Sequence, residues 1–117
     1  MKEFMLYIRN TPNDKVNLST EEQRIFQKKC EDYIAQLKGQ KKLIAAQPLF
    51  KAGYMIRKVH GTWVEKSIEN DSVVQVGYYH IRAVDMEDAI TIAKQNPEFD
   101  YIASASIEVR PVKTKED

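Results

Sequence analysis

Histidine and cysteine, the side chains most used for proton transfer near neutrality, nucleophilic attack and metal binding, are scarce in this chain. It carries two histidines, His60 and His80, and one cysteine, Cys30, far apart from one another. There is no HExxH, no CxxC and no cluster of ligand types, so a metal would have to be completed from scattered carboxylates; no metal and no cofactor is expected. A Gly-rich phosphate loop, a nucleophile elbow and a dinucleotide fingerprint are likewise absent from the sequence. His60 precedes Gly61 at a turn signal and reads as a solvated turn residue. His80 lies inside a long strand, between Tyr79 and Ile81. Facing a cavity it could serve as general base or hydrogen-bond partner, and the plainer reading is a structural histidine with its hydrogen bonds satisfied. Cys30 falls on the apolar stripe of a helix and reads as a small core residue, because a reactive thiolate needs an electropositive, accessible setting.

Arg9 stands at the end of the first strand, and Glu108 and Arg110 stand on the last. If those strands are neighbours, Tyr7, Arg9, His80 and Glu108 could line one polar cavity able to bind a small anionic or carbonyl compound. The competing reading is an ion pair across neighbouring strands, or a rim contact in a dimer. Parity decides between them, since a one-residue slip reverses every side chain. Lys38, Lys41 and Lys42 are accounted for as a solvated helix end of favourable dipole sign. Trp63 and Tyr54 read either as interface anchors or as a packed aromatic corner.

The positioning elements follow from periodicity. Phe4–Ile8 is apolar at both parities, the pattern of a strand covered on both faces. Asn10–Asn17, with Pro12 and Asp14, reads as a loop. Ser19 with Glu22 forms a capping box. The helix behind it places Ile25, Phe26, Cys30, Tyr33, Ile34 and Leu37 on one stripe, with Gly39 as its stop. Leu43–Leu49 reads as a short strand ending at Pro48. Tyr54–Val59 and Thr62–Lys66 flank a His60-Gly61 hairpin turn. Val73–Val84 is the longest strand, again apolar at both parities. Asp85 caps a second helix with Ala89, Ile90 and Ala93 inward, ended by Asn96-Pro97. Ser104–Arg110 alternates, with Ala105, Ile107 and Val109 on one side.

With 117 residues, 43% hydrophobic and 30% charged, the composition is that of one folded domain rather than a disordered chain. A net charge of +1 gives no electrostatic case for nucleic acid or an anionic membrane as the main partner. A lone cysteine excludes an intrachain disulfide framework. The first apolar run is broken by Arg9, too short for a signal-peptide core or a membrane span. The reading is therefore cytoplasmic, in which case the sequons at Asn17 and Asn70 carry no meaning.

The order strand, helix, strands, long strand, helix, strand suits an α+β fold: an antiparallel sheet with two helices on one face. Two helices cover one side only, yet two strands are apolar on both. A bare apolar face is rarely tolerated by a soluble monomer, so a two-fold homodimer burying that face is expected.

Several segments occur in an order that resembles the YCII-related, or DGPF, family. They are Met1-Lys2-Glu3-Phe4-Met5-Leu6, Leu18-Ser19 with Glu21-Glu22, Gly39 with Leu43, and Gly77-Tyr78-Tyr79. They continue through Asp85, Asp88-Ala89-Ile90, Ile92-Ala93 and Asn96-Pro97 to Ile107-Glu108-Val109-Arg110-Pro111. The resemblance spans residues 1–112, leaving 113–117 as a charged tail. It implies a ferredoxin-like sheet with an inserted hairpin, forming a dimeric α+β barrel. Its members are largely uncharacterised; some are associated with sigma factors, and some relatives carry a His–Asp pair regarded as catalytic. The Asp-Gly-Pro-Phe signature falls on Glu65-Lys66-Ser67-Ile68, keeping a carboxylate at Glu65 but neither the Gly-Pro turn nor the aromatic ring. The first helix holds no histidine to supply the pair. The function expected is a small-molecule-binding protein or enzyme with a polar cavity inside a dimeric barrel. The alternative is a regulatory protein-interaction module without catalysis, which would dock a protein partner instead of a ligand.

Overall fold

The computed structural model describes residues 1–115. Glu116 and Asp117, the end of the expected charged tail, lie outside the described residues. The elements run β1 (Lys2–Asn10), α1 (Asn13–Val16), α2 (Thr20–Gly39), β2 (Leu43–Pro48), β3 (Tyr54–Val59), β4 (Thr62–Ser67), β5 (Val74–Ala83), α3 (Met86–Lys94), α4 (Glu98–Tyr101) and β6 (Ser106–Pro111). Alternation along β1 sets the layers. Phe4, Leu6, Ile8 and Asn10 are buried, while Met5, Tyr7 and Arg9 are half-buried on the opposite face. β1 pairs antiparallel with β5 and β6, and β5 pairs antiparallel with β2, giving the order β2-β5-β1-β6. The two strands apolar at both parities are therefore the two central ones.

Helices α2 and α3 cover the Phe4–Leu6 side. Tyr33 and Leu37 from α2, and Ala89, Ile92 and Ala93 from α3, meet Phe4, Leu6, Ile81 and Ala83 of the sheet. The two helices are joined by the buried Tyr33 hydroxyl, which donates to the Ile92 carbonyl at 2.7 Å, and Tyr33 also meets the edge of Tyr79. At the start of α2 the Ser19 hydroxyl accepts from the Glu22 amide at 3.1 Å, and the Glu22 carboxylate accepts from the Ser19 amide at 3.0 Å. Such a box stabilises a helix start by about 1 kcal/mol.

Four local expectations are corrected. Ile90, expected inward on α3, is 37% exposed, and Ile92, at helical spacing from Ala89, is buried in its place. The Asn10–Asn17 stretch is not all loop: Asn10 ends β1, and Asn13–Val16 forms one helical turn because Pro12 enters it at φ −56°. Gly39 is the last residue of α2 rather than its left-handed stop. That stop is Lys41 at φ 59°, after which the Lys42 amide donates to Leu37 O and the Lys41 amide to Lys38 O. Asn96-Pro97 ends α3 but also starts α4, since Pro97 holds helical dihedrals and Glu98 and Asp100 supply acidic residues to the first turn.

Among the described residues β3 and β4 pair only with each other, through a two-residue turn with His60 at φ 49° and Gly61 at φ 80°, the left-handed pair that a tight hairpin demands. This hairpin is an arm. The radius of gyration is 16.2 Å, against about 13 Å for a compact chain of this length.

Candidate functional site

Register fixes where the expected cavity residues go. Met5 lies opposite His80, Tyr7 opposite both Tyr78 and Glu108, and Arg9 opposite Ser106. Tyr7, Arg9, His80 and Glu108 thus share one sheet face, the one turned away from the helices. They are largely satisfied there by neighbours. Arg9 donates to Glu108 at 3.2 Å, with both side chains well exposed, and His80 Nε2 lies 2.7 Å from a Glu3 carboxylate oxygen. Within this chain these groups make polar pairs across strands on an open face. Glu65, which the resemblance aligns with a signature carboxylate, is far from them in the chain and sits exposed on β4 opposite Ile56.

A different concavity, of about 840 Å³, lies on the helix side. It opens between the first turns of α2 and the Pro48 end of β2, with β1 and β5 behind it. Its origin is a shortage of side-chain volume. Gly77 and Ala46 line the strand side, and Gln23, Gln27 and the small Cys30 occupy the helix side where larger apolar residues would have closed the gap. Gly77 is favoured in its own right, because a Cβ there would stand 3.0 Å from the Gln47 carbonyl oxygen and 3.4 Å from Pro48 Cα, a tight approach to backbone atoms.

Ile8, Phe26, Ile34 and Leu49 make much of the groove apolar, and among the described residues Glu98 is the one acidic side chain on its lining. Glu98 is half-buried. Asn10 Nδ2 donates to its carboxylate at 3.2 Å, and its own amide donates to Asn96 Oδ1 at 2.9 Å. Burial raises the Glu98 pKa above the ordinary carboxylate value, with the Asn10 bond and the Lys15 charge pulling the other way. No cation forms an ion pair with Glu98 among the described residues. Asn10 is 4% exposed, and its Oδ1 has no hydrogen-bond partner among the described residues. An unpaired buried acceptor beside a desolvated carboxyl is costly in a folded interior.

Cys30 also borders the groove. Burial, reinforced by the negative charge of Glu98, pushes its thiol up to about 11, so it stays protonated near neutrality and is no nucleophile. Burial likewise pushes the Tyr79 phenol up to about 12. The arrangement can offer a ligand the half-buried Glu98 carboxyl as a hydrogen-bond partner. Asn10 and Glu98 escaped the sequence reading. The signal that could have found Glu98 is Asn-Pro followed by acidic residues, which starts a helical turn as readily as it ends one.

Among the described residues, no group of His, Cys, Asp and Glu could hold a metal ion. No helix among them is long and apolar enough to cross a membrane. No protein-family model matches the chain, and a search of curated proteins found none significantly similar to it.

Proposed function

We propose that this chain is a YCII-related (DGPF-type) small-molecule-binding protein that works as a two-fold homodimer, with its ligand in the groove between α2 and the sheet. The observation that carries the reading is the groove itself. It is large enough for a compact metabolite, mostly apolar, and bounded by one half-buried carboxyl, that of Glu98. The fitting ligand has an apolar body and an N–H or O–H donor that reaches Glu98. No reaction is assigned to it.

The strand order β2-β5-β1-β6, with helices on one face and the hairpin inserted between β2 and β5, supports the ferredoxin-like assignment. The uncovered face supports the pairing of two sheets into a dimeric barrel. Met5, Tyr7, Val76 and Tyr78 occupy its centre, where they are only half-buried. In that assembly Arg9–Glu108 and His80–Glu3 become polar contacts of the interface.

Native mass spectrometry tests the assembly: a species of twice 13.6 kDa is expected, and a monomer at micromolar concentration would overturn the two-fold reading. The groove is tested with the fluorescent probe 1-anilinonaphthalene-8-sulfonate, whose sulfonate suits Lys15 and Lys51 on the groove's lining. Enhancement by the wild type and its loss in Ala46→Leu, at unchanged thermal stability, is the expected pair of results. Equal binding by the variant would remove the groove as the site. A second reading, a protein-docking module without a ligand, is favoured by the exposed aromatic side chains Tyr54 and Trp63 on the arm.

A further inference from the structure

The arm leaves the body between β2 and β5, and its two faces differ. Register puts Tyr54, Ile56 and Lys58 of β3 on one face with Trp63, Glu65 and Ser67 of β4. Met55, Arg57 and Val59 share the other with Thr62, Val64 and Lys66. On the first face Tyr54 is 71%, Ile56 58% and Trp63 66% exposed. Lys58 Nζ lies 5.1 Å from the centre of the Trp63 ring. At the root of the arm Phe50 is 94% exposed. An isolated two-stranded hairpin is marginal in water. Aromatic side chains held out on one are a contact surface awaiting its other half.

Resting on the two-fold reading above, we propose that the Tyr54–Ile56–Trp63 face of the arm clasps a second copy of this chain. Charge and area select that occupant. The apolar face carries one cation and one anion, Lys58 and Glu65, so a two-fold contact brings no net like charge together. The opposite face presents Arg57 and Lys66 and would repel its own copy. The open sheet face is ringed by Glu3, Arg9, Arg82, Glu108 and Arg110 around a half-buried centre of Met5, Tyr7, Val76 and Tyr78. Taking roughly 200 Å² for each large side chain, the three arm residues present about 400 Å² of uncovered surface. That is about half of the ~800 Å² per partner that a stable dimer buries. The arm would add that area to the pairing of the sheet faces.

The test is the dissociation constant of the dimer, measured by light scattering and native mass spectrometry over a dilution series. Trp63→Ala and Tyr54→Ala, at exposed positions outside the core, should each weaken dimerisation at least tenfold while thermal unfolding of the monomeric species is unchanged. Arg57→Ala, on the opposite face, should leave the constant within about threefold or tighten it. Dimers of undiminished affinity in both aromatic variants would overturn the clasp and leave the sheet-face pairing standing. A wild-type monomer would overturn both.

Discussion

Replacing Gly77 by alanine adds one methyl group where two backbones meet. The new Cβ would lie 3.0 Å from Gln47 O and 3.4 Å from Pro48 Cα, and neither can swing aside as a side chain can. β2 must be displaced from β5 by a few tenths of an ångström, or the pleat of β5 must open. Overpacking of this kind costs about 1–3 kcal/mol. Alanine returns about 0.4–1 kcal/mol by restricting the unfolded chain. The net expected loss is about 1–2 kcal/mol, a fall of roughly 4–10 °C in Tm for a domain of this size. Gly39 provides the internal control. A Cβ there meets nothing within 4 Å, and the residue is helical, so Gly39→Ala should gain about 0.5 kcal/mol. Urea titration and calorimetry of the two variants read the contrast directly. Because Ala46, Pro48 and Gly77 all line the groove, Gly77→Ala should also weaken binding of the fluorescent probe. A Gly77→Ala protein as stable as wild type would refute the argument that close approach of β2 dictates the glycine.

Lys41 occupies the left-handed region at the end of α2, so Lys41→Gly should raise stability by about 0.5–1 kcal/mol in the same urea assay. Tyr33→Phe deletes the buried hydroxyl that donates to Ile92 O, and a loss of about 1 kcal/mol is expected in chemical denaturation. For Glu98 the folded pKa lies above the unfolded one, so its ionisation opposes folding. That cost is absent well below the ordinary value of 4.5, grows as pH rises through it toward the folded pKa, and is fully present above. Glu98→Gln should therefore be more stable than wild type at pH 7, with the difference vanishing by about pH 3.5 in a pH series of thermal melts; a constant offset would contradict it.

The strands, the capping box, the hairpin turn and the two long helices follow from period and turn chemistry, because each is determined by residues close in sequence. The groove does not. It depends on Ala46 and Gly77 from the strands, Cys30 from α2 and Glu98 from α4, which are small or ordinary residues whose coincidence is set by tertiary packing. Register is also hidden. The β1–β5 pairing shifts between Ile8 and Arg9, so β5 carries an extra residue there. Val74 is buried as a result, although strict alternation from Ile81 would have pointed Gln75 inward instead. Gly39 misled for a simpler reason: glycine is the usual left-handed cap, and here a lysine two positions later takes that conformation.

The position of β1 in the sheet also orders events in time. Both of its partners, β5 and β6, are made long after it, and Arg9 and Glu108, bonded in the fold, are 99 residues apart in the chain. At ribosomal rates of about 5–20 residues per second, the first strand waits on the order of 5–20 s for its second neighbour. Until then Phe4, Leu6 and Ile8 belong to an unpaired, apolar, β-prone segment, while α2 and the arm can already close through local contacts. The nascent chain is therefore most exposed to misassociation at β1 while β5 and β6 are still unmade. Holding that strand with a chaperone should improve the yield of folded protein more than any change made to the arm.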